Sequence, residues 1–356
     1  MRVNEAFAGR SVRESAENRV GKSVDIRIPV NVPAARGGSG QVVATVFLPD
    51  SVPAAPIVMF ALPGGGYSRG YFDMHFPGHQ GYSQAEHHLA RGIVFVAMDH
   101  FGVGASSTDA NDAVTIEHIA AANDQAVREI LARLRAGTLV EGAGRIEPGL
   151  VVGTGQSMGG GVTIIMQGRH RTYDAIMPLG YSPVHTSLPQ RRPEMREAIK
   201  AAFAGFSRAT KPQDLSVPHS SEQIPDFLYP FHCEDVPRDI VQADLAGGYP
   251  LRKTPPSWGS ATVPRCVVAM MSPGYVAGEA ASVDVPVFLG FGERDVSETP
   301  YREPTMFPRA TDLTVFVVPR MAHMHNFAST RRLLWERSLD WVDGIVHGVD
   351  VARASA

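Results

Sequence analysis

Six short apolar runs are the feature that most constrains the fold of this chain, and helix-like stretches lie between several of them. The runs cover residues 55–62, 92–98, 149–155, 174–180, 284–292 and 312–319. They are continuous rather than alternating, which is typical of strands buried on both faces of a parallel sheet. The clearest helix spans 115–137, where Thr115 can cap the start and Gly137 can end the last turn. The sequence therefore predicts an α/β fold with a mostly parallel, doubly wound sheet.

The stretches outside these runs predict the domain organisation. Residues 1–22 are polar and form a predicted N-terminal arm, and 23–32 and 40–48 alternate enough to predict an antiparallel strand pair. Between 182 and 282 the strand–helix rhythm stops, and only one helix, near 192–206, is evident. Because ligands bind at the carboxyl ends of the strands in such sheets, we expect 182–282 to be an inserted lid or cap. The predicted α/β core is then 23–181 and 283–356, with a final helix that opens at a capping Ser329.

The stretch 155–159, Gly-Gln-Ser-Met-Gly, is a candidate nucleophile elbow. An apolar run precedes it and a helix-compatible run follows it, which is the context that the G-x-S-x-G pattern requires. Ser157 at such a turn needs unfavourable backbone angles, and neighbours without side chains leave room for them. A helix that starts at Met158 would direct its positive N-terminal end toward the serine. The alternative is an ordinary strand-to-helix turn.

Two later loops offer the partners that a nucleophilic serine needs. Asp295 follows the run 284–292, and His323 follows the run 312–319. The order serine, acid, histidine, each after a strand, is the one expected for this type of sheet. Glu293 is the rival acid and is expected to be a solvated loop residue. His325 is the rival base, and we expect it to brace the loop or line the pocket, because only one histidine can reach the serine.

Three glycines follow the run 55–62, in the sequence Leu-Pro-Gly-Gly-Gly-Tyr. Backbone N–H groups in such a loop can face a developing oxyanion with no side chain in the way. We expect the donors to be the N–H groups of Gly65, Gly66 and Met158. A merely flexible turn is the alternative.

These motifs together resemble the α/β-hydrolase fold superfamily. Residues 98–107, MDHFGVGASS, resemble its D-x-x-G-x-G-x-S turn, and VPVFLGFGERDV and VVPRMAHMHNF resemble its acid and histidine loops. The resemblance covers most of 40–180 and 283–347. It implies acyl transfer without a cofactor, with Ser157 as nucleophile, His323 as base and Asp295 as the acid that orients it. The glycine-rich oxyanion motif of lipases usually begins with histidine, whereas Pro63 stands there in this chain, so any bracing by that histidine is absent or replaced.

Composition excludes several function classes. The 356 residues carry a formal net charge of −3 with no basic patch, which argues against a nucleic-acid partner. No run approaches the roughly 20 apolar residues of a membrane span. Two cysteines, Cys233 and Cys266, predict free thiols in a reducing compartment, and the N-terminus lacks the apolar stretch of a signal peptide. A cytoplasmic protein is expected, and the sequence predicts no oligomeric state.

Histidines also raise the alternative of a metal site. They are concentrated in one third of the chain, at His75, His79, His87, His88 and His100. Pro77 and Gly78 break any helix that could bring His75 and His79 onto one face. His87 and His88 are adjacent, so they face different ways on a helix. We therefore expect neither metal nor cofactor, and we expect His100 to be a packed or hydrogen-bonded loop residue.

The predicted function is hydrolysis of a carboxylic ester of a small molecule through an acyl-enzyme. A carbon–carbon bond hydrolase or an acyltransferase on the same fold is the alternative, followed by a non-catalytic binding protein. The apolar and aromatic residues of the insertion either line an apolar pocket or form the core of the lid itself; they are Phe203, Phe206, Phe227, Tyr229, Phe231, Met270 and Met271.

Overall fold

The computed structural model describes residues 21–217, 228–249 and 251–354, and side chains up to residue 348. Residues 1–20 of the predicted N-terminal arm lie outside the described part, as does Phe227. The first strand begins at Lys22, within the stretch predicted to be the arm.

The fold is built on a single eight-stranded sheet with the order β1-β2-β4-β3-β5-β6-β7-β8. The pairs β1–β2 and β2–β4 are antiparallel, and all later pairs are parallel. The strands are β1 Lys22–Asn31, β2 Ser39–Leu48, β3 Ile57–Leu62, β4 Val94–Met98, β5 Leu150–Gln156, β6 Ala175–Leu179, β7 Val287–Arg294 and β8 Leu313–Ala322. Each of the six apolar runs forms a parallel strand and the two alternating stretches form the hairpin, so the predicted mostly parallel, doubly wound sheet is confirmed.

Both faces of the sheet are covered, which explains why the strand sequences do not alternate. Val58 and Phe60 of β3 belong to a buried cluster with the helices Ile116–Ala136 and Met158–His170, whereas Met59 belongs to a second cluster with the helices Gln84–Leu89 and Arg331–Ala354. Burying a side chain of this kind contributes about 1.5–3 kcal/mol. Successive residues of one strand therefore stabilise opposite layers of the same domain.

Eight helices in the described ranges accompany the sheet. They are α1 Gln84–Leu89, α2 Ile116–Ala136, α3 Met158–His170, α4 Pro193–Ala204, α5 Leu228–Phe231, α6 Arg238–Leu245, α7 Ala277–Ala280 and α8 Arg331–Ala354. No helix in the described parts of the chain combines the length and the apolar character needed to cross a bilayer. Both cysteines are free thiols.

The helix ends test the capping predictions. The side chain of Thr115 accepts the N–H of His118, and Gly137 takes a left-handed φ of 72° at the end of α2, as predicted. The prediction for the last helix is wrong by one residue. A cap at Ser329 would start the helix at residue 330, whereas it starts at Arg331, and the hydroxyl of Ser329 donates to Asp235.

The segment 182–282 connects β6 to β7. Its predicted helix near 192–206 is α4, but the remainder is less irregular than expected, since it also contains α5, α6 and α7. These helices have 4 to 8 residues, too few turns for a periodic apolar stripe to be recognised.

Candidate active site

The turn at Ser157 joins β5 to α3 with strained backbone angles. Its φ is 54° and its ψ is −120°, a conformation that residues with a Cβ rarely adopt. The Ser157 N–H donates to the carbonyl of Leu179 at the end of β6, at 2.8 Å. The strand, the sharp turn and the helix that the motif predicts are therefore present, and the N-terminal end of α3 lies at the serine.

The glycines around Ser157 are required by close backbone packing. A Cβ on Gly155 would lie 2.2 Å from the carbonyl carbon of Gly159, and a Cβ on Gly159 would lie 2.0 Å from the carbonyl oxygen of Leu62. A Cβ on Gly64 would lie 2.3 Å from Oε1 of Gln156. Real Cβ atoms do not approach other atoms so closely, so Gly155 and Gly159 let the backbones of β5, α3 and the end of β3 meet at the serine, and Gly64 leaves room for the side chain of Gln156.

Three side chains from three separate loops form a continuous hydrogen-bonded chain. Oγ of Ser157 lies 2.8 Å from Nε2 of His323, and Nδ1 of His323 lies 2.7 Å from Oδ1 of Asp295. The carboxylate only accepts, so it fixes the proton of a neutral imidazole on Nδ1 and leaves the lone pair on Nε2 facing the serine. This arrangement can remove a proton from the hydroxyl.

Asp295 is surrounded by donors although it is buried. Its Oδ1 also accepts the N–H of Val296 at 2.8 Å, and its Oδ2 accepts the N–H of Gly292 at 2.9 Å. Burial would raise the pKa of this carboxyl, but the charges and hydrogen bonds of His325 and His323 outweigh burial and hold that pKa well below its usual range. Asp295 is therefore ionised at neutral pH.

His325 contacts the same carboxylate rather than the serine. Its Nε2 lies 2.7 Å from Oδ2 of Asp295, while His323 takes Oδ1. Gly180 allows both rings to lie against the end of β6, since a Cβ there would lie 3.1 Å from Cε1 of His325. The rival acid Glu293 is absent from this group of side chains, and it accepts the N–H of Arg320 at 2.8 Å.

The histidine loop is held by groups that the sequence analysis did not single out. Gln156, the variable residue of the elbow motif, donates through Nε2 to the carbonyl of His323 at 2.8 Å. The N–H of His323 donates to Pro230 at 3.0 Å, and the N–H of Met324 donates to Phe231 at 3.1 Å. None of these three contacts carries a sequence signal, because each joins residues that are far apart in the chain.

Asn326 anchors the same loop from its other side. Its Nδ2 donates to the carbonyl of Tyr71 and to Oε1 of Gln84, at 3.2 and 3.0 Å, and its Oδ1 accepts the indole N–H of Trp335. Its backbone N–H donates to the phenol oxygen of Tyr71. The only sequence signal for this role is the amide side chain that directly follows His325.

The predicted oxyanion donors occupy different positions relative to the serine. Gly65 and Met158 line the cavity that contains Ser157, together with Gly64. Gly66 does not line it, and its carbonyl accepts the N–H of Ser260 at 3.0 Å. As the first residue of α3, Met158 has an N–H that the helix itself leaves without an acceptor.

The cavity has a volume of about 240 Å³. Much of its wall comes from the segment 182–282, which contributes mostly apolar side chains; they are Leu188, Ile199, Phe203, Val217, Phe231, Tyr249, Val263, Val267, Val268, Met270 and Met271. Seven apolar and aromatic residues of the insertion were expected to line a pocket or to form the core of the lid. Four of them, Phe203, Phe231, Met270 and Met271, line the cavity, while Phe206 packs on Phe203 in a small buried cluster. No lysine, arginine, aspartate or glutamate of the described residues lines this cavity.

The five histidines that raised the alternative of a metal site have separate partners. Each makes its own contact: His75 with Asp73, His79 with Asp239, His87 with Glu336, His88 with the carbonyl of Gln84, and His100 with the carbonyl of Pro63. Asp73, His75 and Glu86 bring ligand atoms within 4.8 Å of one another on the surface, outside the cavity. His100 is thus a hydrogen-bonded loop residue, as expected.

Comparison with known proteins supports the fold through structure alone. No protein-family model matches the chain, and no curated protein is similar enough in sequence to count as a match. A thermophilic esterase from Thermogutta terrifontis superposes with a TM-score of 0.57 at 15% identity, over 90% of this chain and 99% of the other.

Two further solved structures give the same result. A peroxisomal α/β-hydrolase from Saccharomyces cerevisiae has a TM-score of 0.58 at 12% identity, over 93% of this chain and 90% of its own. A bromoperoxidase from Bacillus anthracis has a TM-score of 0.55 at 14% identity, over 88% of this chain and 98% of the bromoperoxidase chain. These proteins have different activities, and at such identities the likeness extends to the fold and not to the reaction. The chain therefore has the α/β-hydrolase fold that its sequence motifs predict.

Proposed function

We propose that the protein is a serine hydrolase that cleaves an uncharged carboxylic ester through an acyl-enzyme. The observation that carries this proposal is the unbroken chain from Oγ of Ser157 through the imidazole of His323 to the carboxylate of Asp295. That chain supplies a nucleophile, a base on its hydroxyl and a buried anion that stabilises the imidazolium.

Acylation begins when Nε2 of His323 takes the hydroxyl proton while Oγ of Ser157 bonds to the ester carbonyl carbon. The carbonyl oxygen becomes an oxyanion, and we assign its stabilisation to the N–H groups of Gly65 and Met158, since both residues line the cavity that contains Ser157. When the carbon–oxygen bond to the alcohol breaks, the leaving oxygen takes the proton from Nε2. Asp295 keeps Nδ1 protonated throughout, so Nε2 is the position at which the proton moves.

Deacylation repeats these steps with water. His323 takes a proton from water, the hydroxide bonds to the acyl carbon, and collapse of the second oxyanion breaks the bond to Oγ. The serine recovers its proton from Nε2, and the carboxylic acid leaves. Each oxyanion donor is worth about 3–4 kcal/mol in systems where one has been removed.

The cavity supports an uncharged, mainly apolar substrate. Its described lining has no lysine, arginine, aspartate or glutamate, so an anionic group would lose hydration without gaining a charged partner. This argues against a carbon–carbon hydrolase that holds an anionic dienol, because the polar lining groups, such as Gln156 and Thr186, are uncharged. A volume of about 240 Å³ suits an acyl or alcohol group of short to medium length. We also propose that 182–282 acts as a lid, on the ground that its side chains form much of the wall.

The test is turnover of 4-nitrophenyl esters of graded acyl length, with Ser157→Ala as the matched variant. We expect Ser157→Ala to lose about 10⁴-fold or more in kcat, because the nucleophile is removed while only an oxygen is deleted. A serine-directed fluorophosphonate should label the wild type once, at Ser157, and leave the variant unlabelled. Labelling elsewhere, or a variant with near-normal turnover, contradicts the proposal. Faster transfer to an added alcohol than to water would make the protein an acyltransferase.

A further inference from the structure

His100 is a fully buried histidine that lies just after β4 and takes no part in the proposed proton transfers. Its Nε2 lies 2.9 Å from the carbonyl oxygen of Pro63, the first residue of the loop 63–66 that carries the proposed oxyanion donor. Pro63 is the position at which the sequence lacks the histidine that usually begins this motif. A histidine from a different strand end thus contacts the residue that replaced it.

The hydrogen bonds of His100 define its tautomer. A carbonyl oxygen only accepts, so Nε2 must carry the proton that is donated to Pro63. Nδ1 lies 2.9 Å from Nδ2 of Asn123, a buried residue of α2, and an amide nitrogen only donates. Burial lowers the pKa of His100 to about 4, against a smaller raising effect of the Pro63 hydrogen bond, so the ring is neutral at neutral pH. Both ring nitrogens therefore already take part in hydrogen bonds within the protein, and His100 cannot serve as a base.

The loop that His100 contacts has little stiffness of its own. It contains three consecutive glycines, which have the widest backbone freedom of any residue. A trans peptide directs its C=O and its N–H to opposite sides, so a held carbonyl also fixes the direction of the next N–H. His100 holds the carbonyl of Pro63, and the N–H of Tyr67 holds the carbonyl of Gly64 at 3.2 Å. Two consecutive peptide planes are fixed in this way, and the second of them carries the N–H of Gly65.

We infer that His100 is a positioning residue for the oxyanion loop, with Asn123 fixing the proton on the nitrogen that contacts Pro63. This inference rests on the proposed function, since it assigns His100 to the loop that would receive the oxyanion. His100 acts through the backbone of the loop and touches no substrate. A displaced donor weakens an interaction that forms only in the transition state, so its loss lowers kcat and leaves KM nearly unchanged.

The test compares three variants by kcat and KM on 4-nitrophenyl butyrate and by fluorophosphonate labelling. His100→Phe keeps the ring size and removes both hydrogen bonds, and His100→Gln restores an amide N–H. His88→Phe is the matched control, because His88 is equally buried but bonds only to the carbonyl of Gln84, one turn earlier in the chain. We expect His100→Phe to lose about 30-fold in kcat with KM changed by less than about threefold, less than the loss of a whole donor. His100→Gln should recover at least about fivefold of this loss, and His88→Phe should stay within about threefold of wild type.

A folded His100→Phe with wild-type kcat, or equal losses in His100→Phe and His88→Phe, overturns the inference. If His100→Phe does not fold, Asn123→Leu decides: a loss of about fivefold in kcat supports the inference, and no loss overturns it. Failure of the proposed function looks different, because the wild type itself would then neither turn over the ester nor be labelled at Ser157. In that case the role assigned to His100 falls with it.

Discussion

The two walls of the cavity are built in opposite ways. One wall comes from the ends of β3, β5, β7 and β8, and its polar groups are held by short hydrogen bonds and by backbone packing around Ser157, Asp295 and His323. The other wall comes from 182–282 and presents mainly apolar side chains, such as Ile199 and Phe203. On the proposed function, the ends of the sheet strands hold the reacting groups, and we propose that the insertion sets the size and polarity of the substrate that the cavity accepts.

The insertion nevertheless reaches the polar wall through its backbone. The carbonyls of Pro230 and Phe231 accept the N–H groups of His323 and Met324, and the N–H of Ser260 donates to Gly66 in the glycine loop. Arg252 also donates to the carbonyl of Gly66 and pairs with Asp244, both within buried surroundings. The segment that shapes the apolar wall is therefore also a support for the histidine and oxyanion loops, so its removal would disturb both.

Within the two walls, the largest effect is expected from replacing His323, the proposed catalytic base in the polar wall. His323→Ala should lose at least about 10³-fold in kcat, because the ring that contacts the serine hydroxyl is deleted. His325→Ala should lose about tenfold, since Asp295 keeps its backbone donors and its bond to His323. Steady-state kinetics of the two variants checks this, and reversed losses would make His325 the base.

A smaller effect is expected from the apolar wall. Phe203→Ala should raise KM for a longer acyl ester by about three- to tenfold and leave kcat for an acetate ester unchanged, because it removes binding surface without touching the reacting atoms. Phe206→Ala is the matched control. The ring centroid of Phe206 lies 6.1 Å from that of Phe203, but Phe206 does not line the cavity. Equal changes in both variants would mean that the cluster acts through folding rather than through substrate contact.

The smallest effect concerns stability in mild acid. Burial lowers the pKa of His100 to about 4 and that of His88 to about 3, whereas an exposed histidine titrates near about 6.5. Between these values the unfolded chain binds protons that the folded chain does not, so stability decreases as the pH falls from about 6.5 toward 4. Each histidine contributes a slope of at most about 1.4 kcal/mol per pH unit.

Denaturant unfolding of wild type and His100→Phe at several pH values tests this prediction. The variant should lose stability less steeply than the wild type between about pH 6 and 4.5, because it lacks one buried neutral group that must charge on unfolding. Parallel slopes in the two proteins would show that His100 is protonated in the folded state.

Local signals in the sequence determined much of the architecture. Continuous apolar runs predicted the parallel strands, because both faces of the sheet are buried, and the caps at Thr115 and Gly137 predicted the longest internal helix. The elbow around Ser157 was readable because its strain demands small neighbours in the adjacent sequence. The positions of Asp295 and His323 followed from topology, since parallel strands bring their carboxyl ends to one edge.

Only the tertiary structure decided how these groups are held. The sequence predicted His323 as the base, but only the structure shows that Nε2 of His323 lies at Oγ of Ser157 and that His325 contacts the same carboxylate as His323. The contact of His100 with Pro63 joins residues 37 apart, and the contact of Gln156 with the carbonyl of His323 joins residues 167 apart. Such bonds form because the packed sheet brings distant backbone groups within 3 Å in a buried setting, where each must find a partner. Strand and elbow patterns are encoded by neighbours along the chain, whereas these partners are selected by burial, and burial exists only once the chain has folded.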